Sequence, residues 1–247
     1  MSRLKIGLIA VLFLVLCLVV LAPARLVLLF VPAGQAELQG VSGSLWHGAA
    51  SRAIVRTDAG MFHLGELEWK LKPWSLLLLA PRVELSSSWG QQHLNALLTV
   101  HGSKDIDLAA LDAQVPAELV KHFLPLQLTG LVSLQAPQIE IRDGLVTGAQ
   151  GRLVWQQGGW QAGGAPRSLG DYALEFNQLE DGTLAGEVIT LAGELQAEGD
   201  LGLRGREYTV DVLLSGPGLA DPMLEQSLQL VATPEGGNYR VKLQGTM

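Results

Sequence analysis

The segment His63-Leu-Gly-Glu-Leu-Glu-Trp-Lys-Leu-Lys72 decides the fold, because Leu64, Leu67, Trp69 and Leu71 alternate largely with Glu66, Glu68, Lys70 and Lys72. Successive side chains of an extended chain point to opposite faces, so a period of two separates an apolar face from a charged one. An antiparallel sheet with one wet face has this pattern. Pro73 ends the ladder because it has no N–H to donate. The following WSLLLLA, residues 74–80, reads as a short apolar helical turn or corner.

The alternation resumes on both sides. Upstream, Gly40, Gly43 and Gly48 surround Trp46, a spacing that lets strands bend, with Trp46 expected to supply a large buried surface. Downstream, Val83, Leu85, Ser87 and Trp89 form one face, and Leu94, Ala96, Leu98 and Val100 form another after a turn at Gly90. Near the carboxyl end, Leu195, Ala197, Leu201 and Leu203 alternate with Gln196, Glu198 and Asp200. Tyr208, Val210, Val212 and Leu214 follow the same rule, as do Tyr239, Val241 and Leu243. Asp143-Gly144, Asp181-Gly182 and Gly236-Gly237 supply hairpin turns. A mainly β fold follows, a strongly curved antiparallel meander.

One stretch departs from the pattern. Residues 105–124, DIDLAALDAQVPAELVKHFL, read as a short helical insertion with Asp107 as N-cap and Pro116 in the first turn of a second segment. It would separate a first β-rich half, 32–104, from a second, 125–247.

Before the strands lies Ile6–Val31, IGLIAVLFLVLCLVVLAPARLVLLFV, with one Pro and one charge. Its unbroken part, Ile6–Ala22, would make a helix about 26 Å long at about 1.5 Å per residue. Continuing through Pro23 to Phe30 would exceed a hydrocarbon core of about 30 Å. The segment is therefore expected to be a single transmembrane anchor. Arg3 and Lys5 precede it, so residues 1–5 are expected to be a cytoplasmic stub and the body to be periplasmic, on the inner membrane of a Gram-negative cell. Arg25 fits an interfacial anchor. Ala22-Pro23-Ala24 has the look of a signal-peptidase site, but the apolar run is long for a signal core and resumes at once. Cys17 follows the bulky Val15 and Leu16, which does not suit lipid attachment, and reads as a small apolar residue within the anchor.

With Arg3, Lys5 and Arg25 set apart, 14 Lys and Arg face 24 Asp and Glu, a formal charge near −10. An acidic body argues against nucleic-acid partners and against adhesion to anionic lipid headgroups. The single Cys rules out an intramolecular disulfide.

No catalytic pattern emerges. His47, His63, His93, His101 and His122 show no close metal spacing. Asp105 and Asp107 form a D-x-D pair that helix capping explains. Gly40-Val41-Ser42-Gly43-Ser44 has its second Gly one position early for a nucleophile elbow. Ser2-Arg3-Leu4-Lys5 matches S-x-x-K only in the stub. No phosphate-cradling loop occurs. No catalytic, cofactor-binding or metal residue is assigned, and no cofactor is expected. Among the six Trp, Trp69 and Trp89 lie in phase with apolar faces and are expected in the core. Trp74 and Trp160, in corner and loop contexts, are the better candidates for an exposed contact.

With these residues laid out, the chain resembles general secretion pathway protein N, a component of type II secretion systems. GSLWHG at 43–48 is similar to the family's G-T-x-W-x-G motif, with Ser44 in place of Thr. LEWKLKPWSLL at 67–77 is similar to its W-x-L-x-P-x-x-L-L segment, with Ala80 where Gly commonly follows the leucines. GRLVW at 151–155, LGDYAL at 169–174 and GELQAEGDLGL at 193–203 extend the likeness toward the carboxyl end. The resemblance implies a bitopic inner-membrane protein that assists export of folded periplasmic proteins, with partners in the inner-membrane platform or the outer-membrane secretin and no catalytic residues. The reading from the residues leaves a second class open, a periplasmic carrier of lipids or other apolar ligands in a hydrophobic β-groove.

Overall fold

The computed structural model describes residues 7, 9, 11, 13–14, 17–29, 34, 36–57, 60–102, 104–122, 128–161, 167–229 and 232–246. The chain forms two compact units, Met1–Trp89 and Gly90–Met247. Both are built from strands, each antiparallel to the next.

The first unit holds β1 (Ala36–Gly43), β2 (His47–Thr57), β3 (Gly60–Leu71) and β4 (Arg82–Trp89), paired in chain order. In β3, Leu64 and Leu67 are three residues apart because Gly65 sits between them as a bulge. It has φ of +74° and opposes Ala53, where the β2–β3 register shifts. A bulge inserts one residue and restores the apolar phase on its far side. A Cβ at Gly65 would come 2.6 Å from the Trp89 Cβ, so no larger residue fits without movement. The core is the face bearing Ala50 and Trp69, with Leu38, Val41, Val83 and Leu85 around them.

The second unit holds β5 (Gln92–Val100), β6 (Ile106–Pro116), β7 (Leu128–Arg142), β8 (Leu145–Trp160), β9 (Arg167–Gln178), β10 (Leu184–Ala192), β11 (Gln196–Arg204), β12 (Glu207–Ser215), β13 (Thr233–Glu235) and β14 (Asn238–Thr246). Neighbours in sequence pair up to β12, which pairs with β14, and β13 lies outside β14. A short helix, Pro222–Leu228, places Leu224 and Leu228 against Trp160, Leu195 and Tyr239. A second cluster, Ala96, Leu111 and Ala136, lies on β5–β7.

The expected helical insertion at 105–124 is corrected. Ile106–Pro116 is a strand between β5 and β7, and among the described residues of the stretch only Ala117–His122 coils, as a 3-10 turn; 123–124 lie outside them. The misreading has a physical cause. Ala110 takes a left-handed φ of 49°, and the register against β5 shifts beside it: Leu97 pairs with Ala109 but Asn95 with Asp112, so β6 carries one residue more than β5 there. This extra residue turns the strand phase Ile106, Leu108 into Leu111, Ala113, Val115, whose three-residue step imitates a helix. The division between units accordingly falls at the Gly90 turn and not within 105–124. Of the expected second half, 125–127 lie outside the described residues.

The apolar amino-terminal segment also differs from a single continuous span. Its described residues are helical at 7, 9, 11, 13–14 and 17–20, and the chain then turns at Leu21. Pro23 forms a bridge to Ser44, and Ala24–Leu29 is a 3-10 helix whose Ala24 packs on Ala50 and Trp69. Proline restricts the residue before it and lacks a donor, which stops the helix there. Among the described residues no helix is long and apolar enough to cross a membrane. Residues 1–6, 8, 10, 12, 15–16 and 30–33 lie outside them.

Candidate functional site

Two of the sequence segments that carry the resemblance, 43–48 and 67–77, meet at one end of the first unit. GSLWHG forms the β1–β2 turn. The Ser44 hydroxyl accepts the His47 N–H at 3.1 Å and lies 3.3 Å from the His47 carbonyl, a role any small hydroxyl residue can fill. A Cβ on Gly48 would lie 2.7 Å from Cε2 of Trp69, so the bare backbone lets the indole lie flat across the strand. The Trp69 Nε1–H donates to the Leu45 carbonyl at 3.1 Å, and the ring is only 5% exposed.

This turn holds the end of the apolar segment. Trp46 Nε1–H donates to the Val19 carbonyl at 2.9 Å, and Leu45 N–H donates to the Ala22 carbonyl at 2.8 Å. Trp46 is half-buried, not the large buried surface expected of it; its indole N–H joins the Ala22 N–H, 3.2 Å away, on the Val19 carbonyl, whose i+4 donor Pro23 lacks. On its other side the turn is tied to β3, where Leu71 N–H donates to the Trp46 carbonyl at 2.8 Å.

Directly after Leu71 comes the corner. Pro73–Leu77 is one helical turn with Pro at its start. Ser75 is buried and closes it: its hydroxyl donates to the Lys72 carbonyl at 2.5 Å and accepts the Arg82 N–H at 2.8 Å. Lys72 N–H donates to the Arg82 carbonyl at 2.9 Å, and Lys72 Nζ lies 2.9 Å from Glu84 Oε1. The Lys72 ammonium holds the Glu84 carboxyl below its ordinary value. The corner is thus pinned at its base, yet its tip is bare: Trp74 is 79% exposed, and Leu77, Leu78 and Leu79 are 75%, 76% and 86% exposed. Leu79 takes a left-handed φ of 54°, at the place next to Ala80 where a glycine would sit more cheaply. A recess under the tip is lined by His47, Lys70, Lys72, Trp74, Leu78 and Arg82.

The other sequence candidates fall elsewhere. Trp74 is exposed as expected, whereas Trp160 is 8% exposed inside the carboxyl-terminal cluster, because β8 runs on through Trp160 and the Pro222–Leu228 helix covers it. Trp89 is 45% exposed and lies beside His63, since β4 ends at it. Asp105 and Asp107 cap no helix. Asp105 accepts the Asp143 N–H at 3.0 Å in the β7–β8 turn, and Asp107 accepts from Arg142 Nη1 at 2.6 Å with His101 Nε2 2.8 Å away. Arg142 holds the Asp107 carboxyl below its ordinary value and is itself raised. Among the described residues no group of three or more His, Cys, Asp or Glu is placed to hold a metal ion. A hollow of about 690 Å³ on the second unit is lined by Gln135, Arg152, Glu175, Asn177, Glu187 and Asp200 around Phe176, a lining too polar for an apolar ligand.

Among the described residues β1 pairs only with β2, so its outer row of N–H and C=O groups is available. The outermost strand of the second unit, β13, has three residues, one of them Pro234, which blunts it.

Comparison with known proteins agrees with the motifs. Residues 34–242 match the family described as Type II secretion system (T2SS), protein N. The chain is similar to Type II secretion system protein N of Aeromonas hydrophila, with 31% identity over 252 aligned residues that take in 96% of this chain and 97% of the relative. No solved structure matches the chain.

Proposed function

Since this chain belongs to the type II secretion system protein N family, we propose that it is a non-catalytic accessory subunit that assists export of folded periplasmic proteins by assembling with other components of the secretion apparatus. The single observation that carries this reading is the family match across 34–242, which takes in nearly all of the strand-built body. Arg3 and Lys5 ahead of the apolar run support a cytoplasmic amino terminus and a periplasmic body on the inner membrane.

The open edge of β1 supports a mode of assembly. A partner strand laid along Ala36–Gly43 would gain main-chain hydrogen bonds. Glu37 and Gln39, both exposed, would stand beside it. The carrier alternative is not favoured: the hollow on β7–β11 offers charges where an acyl chain needs hydrocarbon.

Gene deletion, with complementation by the full chain, tests the reading. Secreted enzymes should accumulate in the periplasm of the deletion strain and return to the medium on complementation. A photo-crosslinking residue at position 39 should capture a secretion-apparatus protein. Unchanged secretion together with crosslinks only to unrelated proteins would overturn the proposal. A carboxyl-terminal alkaline phosphatase fusion that stays inactive would overturn the topology.

A further inference from the structure

We propose that the corner Trp74–Leu79 is a second membrane contact, a wedge that enters the headgroup region of the bilayer beside the apolar amino-terminal segment. The inference rests on the anchored reading above and adds a lipid-binding surface on the folded body.

The first ground is the chemistry of the tip. Trp74 and Leu76–Leu79 place one indole and four consecutive leucines outward, all of them exposed. A contiguous apolar patch on a folded unit marks a binding surface. This one carries no acceptor or acid that a protein partner could read, and a Trp among leucines is the composition of an interfacial element.

The second ground is charge. The body is acidic, with a formal charge of −7 for the whole chain. Around the recess beneath the tip, however, stand Lys70, Lys72 and Arg82 with the single carboxylate Glu84. Long cationic side chains below an apolar tip can keep their heads at phosphate level while the tip goes deeper.

The third ground is position. The Trp46 indole bonds the Val19 carbonyl, and the Trp46 carbonyl accepts from Leu71, two residues before Pro73. The apolar segment and the corner therefore leave the same end of the sheet. Near the segment's end, Leu18, Val20 and Leu21 are themselves 65%, 57% and 77% exposed. A bilayer that receives one surface meets the other.

The fourth ground is how the corner is built. Ser75 bonds both of its ends, so the leucines are held outward by design of the backbone and not by disorder. Leu79 stays left-handed where glycine would relieve the strain, which keeps an apolar side chain at the tip.

The test uses the full chain with Cys17→Ala, reconstituted into vesicles of phosphatidylethanolamine and phosphatidylglycerol. An environment-sensitive fluorophore is placed at Leu78→Cys or, as control, at Met61→Cys. Met61 is 54% exposed and lies ten residues before Leu71, the end of β3 from which the corner leaves, about 34 Å along the strand at about 3.4 Å per residue. Flotation reports whether the chain is in the membrane at all, and nitroxide lipids report contact at the probe. The expected result is flotation with the position-78 probe quenched at least about twofold more than the position-61 probe, as insertion of an interfacial element requires. Leu79→Gly should lower quenching at position 78 while leaving the melting temperature equal or higher, an outcome that a merely structural corner would not give. Flotation with equal quenching at both positions would overturn the wedge and leave the anchor standing. Shielding of position 78 from water without lipid quenching would assign the tip to a protein neighbour and also overturn it. Failure to float would overturn both readings.

Discussion

Trp69→Ala, set against Trp46→Ala, is the sharpest test of how the first unit is held together. Both substitutions delete the same atoms, and both indoles donate one hydrogen bond to a backbone carbonyl, at Leu45 and Val19 respectively. They differ in burial: Trp69 is 5% exposed against Ala24, Ala50 and Gly48, and Trp46 is half-buried. Burying a Trp withdraws about 150–250 Å² from water, worth about 4–6 kcal/mol at about 25 cal/mol per Å². The unfolded chain already hides part of that area. A loss of about 3–5 kcal/mol therefore remains for Trp69→Ala, in the range measured for large-to-small changes in cores. Trp46→Ala should lose about 1–2 kcal/mol from its smaller buried area and its one hydrogen bond. Urea unfolding of the full chain in detergent micelles, followed by circular dichroism, measures both. Equal shifts for the two variants, or a loss under about 1 kcal/mol for Trp69→Ala, would refute the assignment of the core to Trp69.

In the second unit, Tyr172→Phe removes the hydroxyl that donates to the Leu195 carbonyl at 2.8 Å, both residues being buried. It should cost about 1–2 kcal/mol by the same assay. Burial pushes the Tyr172 hydroxyl from 10.0 up to about 12. Its raised value contributes stability that is whole below pH 10 and lost as pH climbs through 12, so the gap between Tyr172→Phe and the parent should narrow in that window. Asp107→Asn should destabilise at neutral pH by breaking the Arg142 pair. Because the Asp107 carboxyl lies below its ordinary 3.8 when folded, that contribution is present above pH 3.8 and lost as pH falls further, where the variant and the parent should converge. Gly65→Ala forces a side chain into a left-handed position against Ser88 and Trp89, and should cost about 2 kcal/mol or more in the unfolding assay.

Much of the architecture is legible residue by residue. The alternation in His63–Lys72 is β3, and the faces read at Val83–Trp89, Leu195–Leu203, Tyr208–Leu214 and Tyr239–Leu243 are strands. Asp143 takes the left-handed φ of 52° that a two-residue hairpin asks of it. The motifs GSLWHG and LEWKLKPWSLL mark the end of the first unit that holds the candidate site, and Trp74 is as bare there as its corner context suggests. Where reading along the chain failed, at Ile106–Pro116, one residue of bulge at Ala110, set against β5, was enough to replace a period of two with a step of three. Pairwise alternation is a local signal, and a bulge is a decision made jointly with the strand across the way.

The sequence by itself determined that this chain is mainly antiparallel β, that it begins with a long apolar stretch, and that its family is that of type II secretion system protein N. Only the tertiary structure decided which indoles are core. Trp160 is covered by a helix more than 60 residues further along the chain, Trp69 fits because Gly48 lacks a Cβ, and Trp89 is left at a strand end. It also decided that Pro23–Leu29 turns back onto the sheet and that the leucines after Trp74 face outward. Hydropathy counts the apolar groups in a segment, but burial depends on which distant surface arrives to cover them.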